Sequence, residues 1–148
     1  MRKLSRSLFS ALVVCALLLT SCHTKSQLVS GNRTVDAIAD QVWTYSQIHP
    51  DGFTLNLSTM TEPDKGIAVS YAATQGCHSR EKLNYVIEHS ITHSGYVGGW
   101  LDVADSLYYF DSTRIFPEDS LEAAKKFGIE NGQIAIFLIS EGKEIRLK

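Results

Sequence analysis

From Thr34 to Ile48 the apolar residues Val35, Ile38, Ala39 and Val42 recur at helical spacing, with Trp43 and Tyr45 beside them, and predict a first amphipathic helix. His49-Pro50-Asp51-Gly52 ends it, because the residue before proline avoids the α region and Pro-Asp-Gly favours a turn. Phe53, Leu55 and Leu57 alternate with Thr54 and Asn56, the period of a strand with one buried face. After a polar loop over residues 58–66, Ile67, Val69 and Tyr71 point one way and Ala68, Ser70 and Ala72 the other, a second strand with a bulky and a small-residue face. Ser79 is placed to cap a second helix with Leu83, Val86, Ile87, Ser90 and Ile91 on one stripe, and Gly95 to end it. Residues 96–102 and 107–115 read as a hairpin around Val103-Ala104-Asp105-Ser106.

Pro117, with Glu118 and Asp119 in the first turn, opens a third helix that turns Leu121, Ala124 and Phe127 inward and pairs Glu122 with Lys126. Asn131-Gly132 leads into residues 133–139, which are apolar on both faces and so expected in the middle of a sheet. Glu144-Ile145-Arg146-Leu147 then forms a short edge. The order predicts an α+β fold: a single domain with a mainly antiparallel sheet of about five to six strands and about three helices packed on one side.

The N-terminus follows a different pattern. Arg2, Lys3 and Arg6 precede a run from Leu8 to Leu19, apolar but for Ser10, that is too short for the about 20 residues a spanning helix needs, which is the pattern of a secretory signal. Leu19-Thr20-Ser21-Cys22 resembles a bacterial lipobox, which implies cleavage before Cys22 and lipidation of that residue. The chain then divides into a signal peptide over residues 1–21, the acylated Cys22 with a flexible tether over 22–32, and the folded domain over 33–148. Residues 23–32 reach at most about 35 Å, so the domain would stay close to its membrane. No acidic run follows Cys22, and the expected location is the bacterial cell envelope, lipid-anchored and facing the periplasm.

The 148 residues are 44% hydrophobic and 20% charged, which excludes intrinsic disorder and fits one domain. Cleavage removes Arg2, Lys3 and Arg6 and no acid, so the mature chain is more acidic than the formal charge of −2. An acidic exported domain without a basic cluster is a poor partner for nucleic acid. Its expected partners are the membrane, through the anchor, and an envelope protein or ligand.

Cys77 would be the only free thiol after processing. Gln75-Gly76-Cys77-His78-Ser79 places it just before a helix start, where a thiol pKa can fall. With His78, His89 or His93 as a base this describes a Cys-dependent hydrolase or acyltransferase, although the local signatures of papain-like and cell-wall peptidases are missing. A packed, inert cysteine is the simpler reading. His89 and His93 share a helix face at metal-ligand spacing, but they fall outside the apolar stripe, toward solvent. No third ligand is evident, and the order Glu88-His89-Ser90-Ile91-Thr92-His93 is not His-Glu-x-x-His, so no metal is expected. The absence of a P-loop, a dinucleotide fingerprint and a Gly-x-Ser-x-Gly elbow leaves no cofactor to expect.

The hairpin offers a binding surface. Pairing Asp102 with Leu107 sets Trp100 opposite Tyr109 and Gly98 opposite Asp111. Trp100, Tyr108, Tyr109 and Phe110 then make an aromatic patch with Asp102, Asp111 and Arg114 at its rim, beside a gap at Gly98-Gly99 open to a ligand or another backbone. The ordinary alternative is that these aromatics are core. The segments Gly95-Tyr96-Val97-Gly98-Gly99-Trp100-Leu101-Asp102, Tyr108-Tyr109-Phe110-Asp111-Ser112 and Asn131-Gly132-Gln133-Ile134-Ala135-Ile136-Phe137 resemble a small domain of phage and mobile-element proteins, over about residues 52–147. The resemblance implies mobile-element ancestry and brings no catalytic residue with it. Together with the lipobox it leads to the expectation of a non-enzymatic envelope binding protein, in one version excluding phage or conjugating elements.

Overall fold

The computed structural model describes residues 28–29 and 33–147; the expected signal segment, Cys22 and most of the expected tether lie outside them. Strands β1 (Leu28–Val29) and β2 (Arg33–Thr34) pair antiparallel, so a piece of the expected tether lies beside the start of the folded domain. Helix α1 (Val35–Ser46) starts where Thr34 is still extended, and the Thr34 hydroxyl accepts the Ala37 N–H at 3.2 Å. Strands β3 (Phe53–Asn56) and β4 (Ile67–Ser70) precede helix α2 (Arg80–Thr92). Ser79 caps α2 by accepting the Lys82 N–H at 3.4 Å. At its other end Gly95, with φ of +74°, directs its N–H to the Ser90 carbonyl at 2.7 Å. Strands β5 (Tyr96–Asp102) and β6 (Leu107–Phe116) form the expected hairpin, followed by helix α3 (Leu121–Glu130) and strands β7 (Ala135–Leu138) and β8 (Lys143–Arg146).

The fold is α+β, with one six-stranded antiparallel sheet in the order β3-β5-β6-β4-β7-β8. The three helices cover one face of it. Val35, Ile38, Ala39 and Val42 of α1 and Leu83, Val86 and Ile87 of α2 pack on Phe53, Leu55, Val97 and Phe110. Ala124 of α3 meets Ile67, Val69, Phe116 and Ile136, with Leu121 and Phe127 alongside. Register places both clusters on the same side, because Phe53 and Phe110 both pair with Gly99 and Phe116 lies an even number of positions beyond Phe110. Arg80 ties the first two helices, donating to Asp40 at 2.6 and 2.9 Å, to the Asp36 carbonyl at 3.1 Å and to Asn84 at 2.7 Å.

Two expectations are corrected. Strand β7 lies next to the edge, between β4 and β8, and not in the middle. Its Ile136 enters the core while Phe137 is exposed, so apolar residues on both faces do not mark a central strand when helices cover only one side. Glu122 pairs with Lys125 at 2.8 Å, and Lys126 is directed to Glu130 at 3.9 Å, so the charges on α3 choose different neighbours within the same helical spacing.

Gly128 sets how closely α3 approaches the sheet. A Cβ there would stand 2.6 Å from Leu147 Cδ1, 3.1 Å from Ile136 Cγ2 and 3.4 Å from Val69 Cγ1. Alanine needs the end of Leu147 to move and Ile136 to give by a few tenths of an ångström, whereas valine must displace the core. Gly128→Val is expected to lower stability by about 1–3 kcal/mol and Gly128→Ala by less, read as the shift in urea midpoint. Equal midpoints for valine and wild type would show that α3 has room to spare.

Candidate functional site

Side-chain turns shape the hairpin tip. Asp102 Oδ1 accepts the Ala104 N–H at 2.8 Å, Asp105 Oδ1 accepts the Leu107 N–H at 2.9 Å, and Ser106 takes φ of +59°. The strands leave this turn with Asp102 opposite Leu107, Trp100 opposite Tyr109 and Gly98 opposite Asp111. That register agrees with the pairing expected from the sequence.

Period-two alternation then places Trp100, Tyr109 and Asp111 on the sheet face away from the helices. Trp100 is 45% exposed and stacks on Tyr109, with ring centroids 5.2 Å apart and planes 24° apart. Its Nε1–H is directed at Asp111 Oδ2 across 3.4 Å. Asp111 is only 9% exposed and makes no ion pair among the described residues. Burial pushes its carboxyl up to about 6, against the opposing pull of the Trp100 hydrogen bond. The Tyr109 hydroxyl donates to Asp105 Oδ2 at 2.6 Å, which holds Asp105 below the usual carboxylate range and raises the Tyr109 phenol.

The same alternation divides the patch expected from the sequence. Phe110 is fully buried among α1 and α2, 5.7 Å from the Trp43 ring. Tyr108 packs against it at 5.3 Å and donates its hydroxyl to the His49 carbonyl at 2.8 Å. Arg114 is not at the rim of the patch: its guanidinium lies over Phe116 at 4.5 Å and Phe127 at 5.2 Å, on the helix side. Tyr108 and Phe110 are therefore corrected from binding surface to core margin and core, and Arg114, which stays exposed, is corrected from the rim of the patch to the helix side of the sheet. Of the expected patch, Trp100 and Tyr109 stay together on the open face, as the expected register implied. The gap at the glycines is filled from within. A Cβ on Gly98 would stand 2.8 Å from Thr113 Oγ1, and one on Gly99 would stand 2.5 Å from the Phe53 ring.

Cys77 precedes α2 as expected, but only 7% of it is exposed and it belongs to the main core. Its carbonyl accepts the Phe110 N–H at 2.8 Å, which fixes the segment beside β6. Burial pushes the thiol up, opposed by Lys82 and reinforced by Asp111, so the lowering expected from the helix start does not prevail. The three histidines lie against other groups. His78 is edge-on to Tyr109 at 5.7 Å, while His89 and His93 stack on each other at 3.8 Å and both meet Tyr71 edge-on. His93 is exposed, whereas His89 is half-buried, not solvated as expected, and burial lowers its pKa.

Among the described residues no group of three or more His, Cys, Asp or Glu gathers in metal-binding geometry, and no helix is long and apolar enough to cross a membrane. Two hollows of about 260 and 480 Å³ lie beside Arg33, away from the hairpin. On the rim of the larger, Tyr45 donates to Glu62 at 2.7 Å; burial, then this bond, pushes the phenol up to about 12. No protein-family model, curated protein or solved structure matches the chain.

A carboxyl raised by burial favours the native state while it is neutral. Its contribution is complete below the ordinary value of 3.8 and is lost as pH rises through about 6. Asp111→Asn is expected to be more stable than wild type near neutrality, by up to about 3 kcal/mol, and to lose the decline between these limits in urea denaturation at a series of pH values. Parallel curves for the two proteins would contradict the buried carboxylate. Cys77 is expected to react with a thiol electrophile more slowly than a cysteine peptide at the same pH, followed by mass spectrometry; faster labelling would restore it as a nucleophile.

Proposed function

We propose that the protein is a lipid-anchored, non-enzymatic binding protein of the bacterial cell envelope, and that it recognises its partner through the Trp100–Tyr109 stack on the open face of the sheet. The observation that carries this reading is the exposure of Trp100. A large aromatic side chain is left 45% exposed on a stacked, hydrogen-bonded platform while Phe110 and Tyr108 serve the core. Rigid aromatics of this kind are the usual anchors of binding surfaces. The anchor itself is read from Leu19-Thr20-Ser21-Cys22. The alternative, a Cys77-dependent hydrolase or acyltransferase, has less support, because the thiol is buried and raised and the histidines are engaged elsewhere.

Exclusion of phage or conjugating elements is the specific role we propose, on the strength of the lipobox and the resemblance of the hairpin and last strands to mobile-element domains. A photo-crosslinking residue at exposed Val103, in bacteria expressing the full chain, is expected to give a discrete adduct with an envelope component that disappears in Trp100→Ala. An adduct that survives in Trp100→Ala, or none at all, overturns the binding reading. The same strains challenged with a panel of phages and conjugative plasmids should show Trp100-dependent resistance. Unchanged plating and transfer would remove the exclusion role alone.

A further inference from the structure

A buried carboxylate without a counter-ion is an unusual thing to keep beside an exposed tryptophan. Removing a charge from water is costly unless another charge or several hydrogen bonds replace the solvent. Asp111 receives one long hydrogen bond, from Trp100 to Oδ2, and Oδ1 accepts none among the described residues. The surroundings are suited to a cation supplied from outside. The stretch from Tyr96 to Thr113 holds Asp102, Asp105 and Asp111 and no Lys, Arg or His. The stacked rings of Trp100 and Tyr109 add the negative faces that attract cations.

We infer that the Trp100–Tyr109–Asp111 site takes the side-chain ammonium of a lysine presented by a partner protein. The inference rests on the reading of this hairpin as a binding surface and names the group it recognises. Lysine fits better than arginine because Oδ2 is already engaged by the indole. A single free oxygen suits the point charge of an ammonium, not the planar fork of a guanidinium. The other charged groups near the site are His78 against Tyr109, and Lys82, whose ammonium is directed to the Gly76 carbonyl at 3.5 Å. Neither forms an ion pair with Asp111. Because the ammonium needs an ionised carboxylate, binding should strengthen as pH rises through about 6.

The test uses the full chain in neutral detergent, with ¹⁵N-labelled indoles, titrated with lysine blocked at both ends, with blocked arginine, and with phosphatidylethanolamine vesicles. Trp43, packed against the core, serves as the internal control for folding. The Trp100 indole signal is expected to move saturably with blocked lysine, with affinity about fivefold weaker for blocked arginine. Affinity for lysine should fall about tenfold in Asp111→Asn with the Trp43 signal in place. No saturable movement, an equal response in Asp111→Asn, or a response to the vesicles and not to lysine overturns the inference. The Val103 crosslink separates the two levels. An adduct lost in Trp100→Ala but kept in Asp111→Asn overturns the ammonium site and leaves the binding reading standing, whereas one kept in both overturns both.

Discussion

Phe110 lies where the fold is most constrained. It has no exposure, its ring meets Trp43 from α1, its backbone N–H is held by the Cys77 carbonyl at the entrance to α2, and its strand pairs with β5 along the whole hairpin. Burying one face of the sheet under three helices makes most residues of this parity apolar along β3, β5, β6 and β4, Phe53, Leu55, Val97, Phe110, Phe116, Ile67 and Val69 among them. The neighbouring positions are thereby directed to the other face. Trp100, Tyr109 and Asp111 are on the open side because Phe110 and Val97 must be on the closed one.

This gives Asp111 its character. It sits next to the fully buried ring of Phe110, on the face away from α1, α2 and α3, and has an indole N–H as its one hydrogen-bond donor among the described residues. An uncompensated carboxylate is tolerated only where the rest of the structure supplies the stability. Here two hydrophobic clusters on the opposite face do so. The geometry combines a charge short of partners with aromatic surface short of cover, and both deficits would be met by the same bound group.

Much of the domain was legible in the chain. The Ser79 cap, the stop at Pro50, the Gly95 exit and the hairpin register all came from local rules, and the structure agrees with each. These features depend on a few adjacent residues, so no distant contact can override them. Two errors share a cause: β7 was expected in the centre of the sheet, and Tyr108 and Phe110 were expected on the surface. Both require knowing which face the helices cover, and that is settled by packing between residues far apart in sequence. For the thiol, the simpler of the two expectations, a packed and inert cysteine, is the one the structure agrees with. Cys77 does stand before a helix, but the core closes over it, and desolvation outweighs the helix end.

By itself, the sequence determined the three helices and the six strands of the main sheet to within a few residues, the antiparallel α+β class and the register of the hairpin, because backbone preference and hydrophobic period act over a few residues. It also marked the hairpin as the segment rich in aromatic residues and aspartates. Only the tertiary structure decided which of those aromatics are core and which are surface, that Asp111 is buried without a counter-charge, and that Cys77 is sealed. Those outcomes depend on where α1, α2 and α3 come to rest on one side of the sheet, and burial is a property of that assembled arrangement.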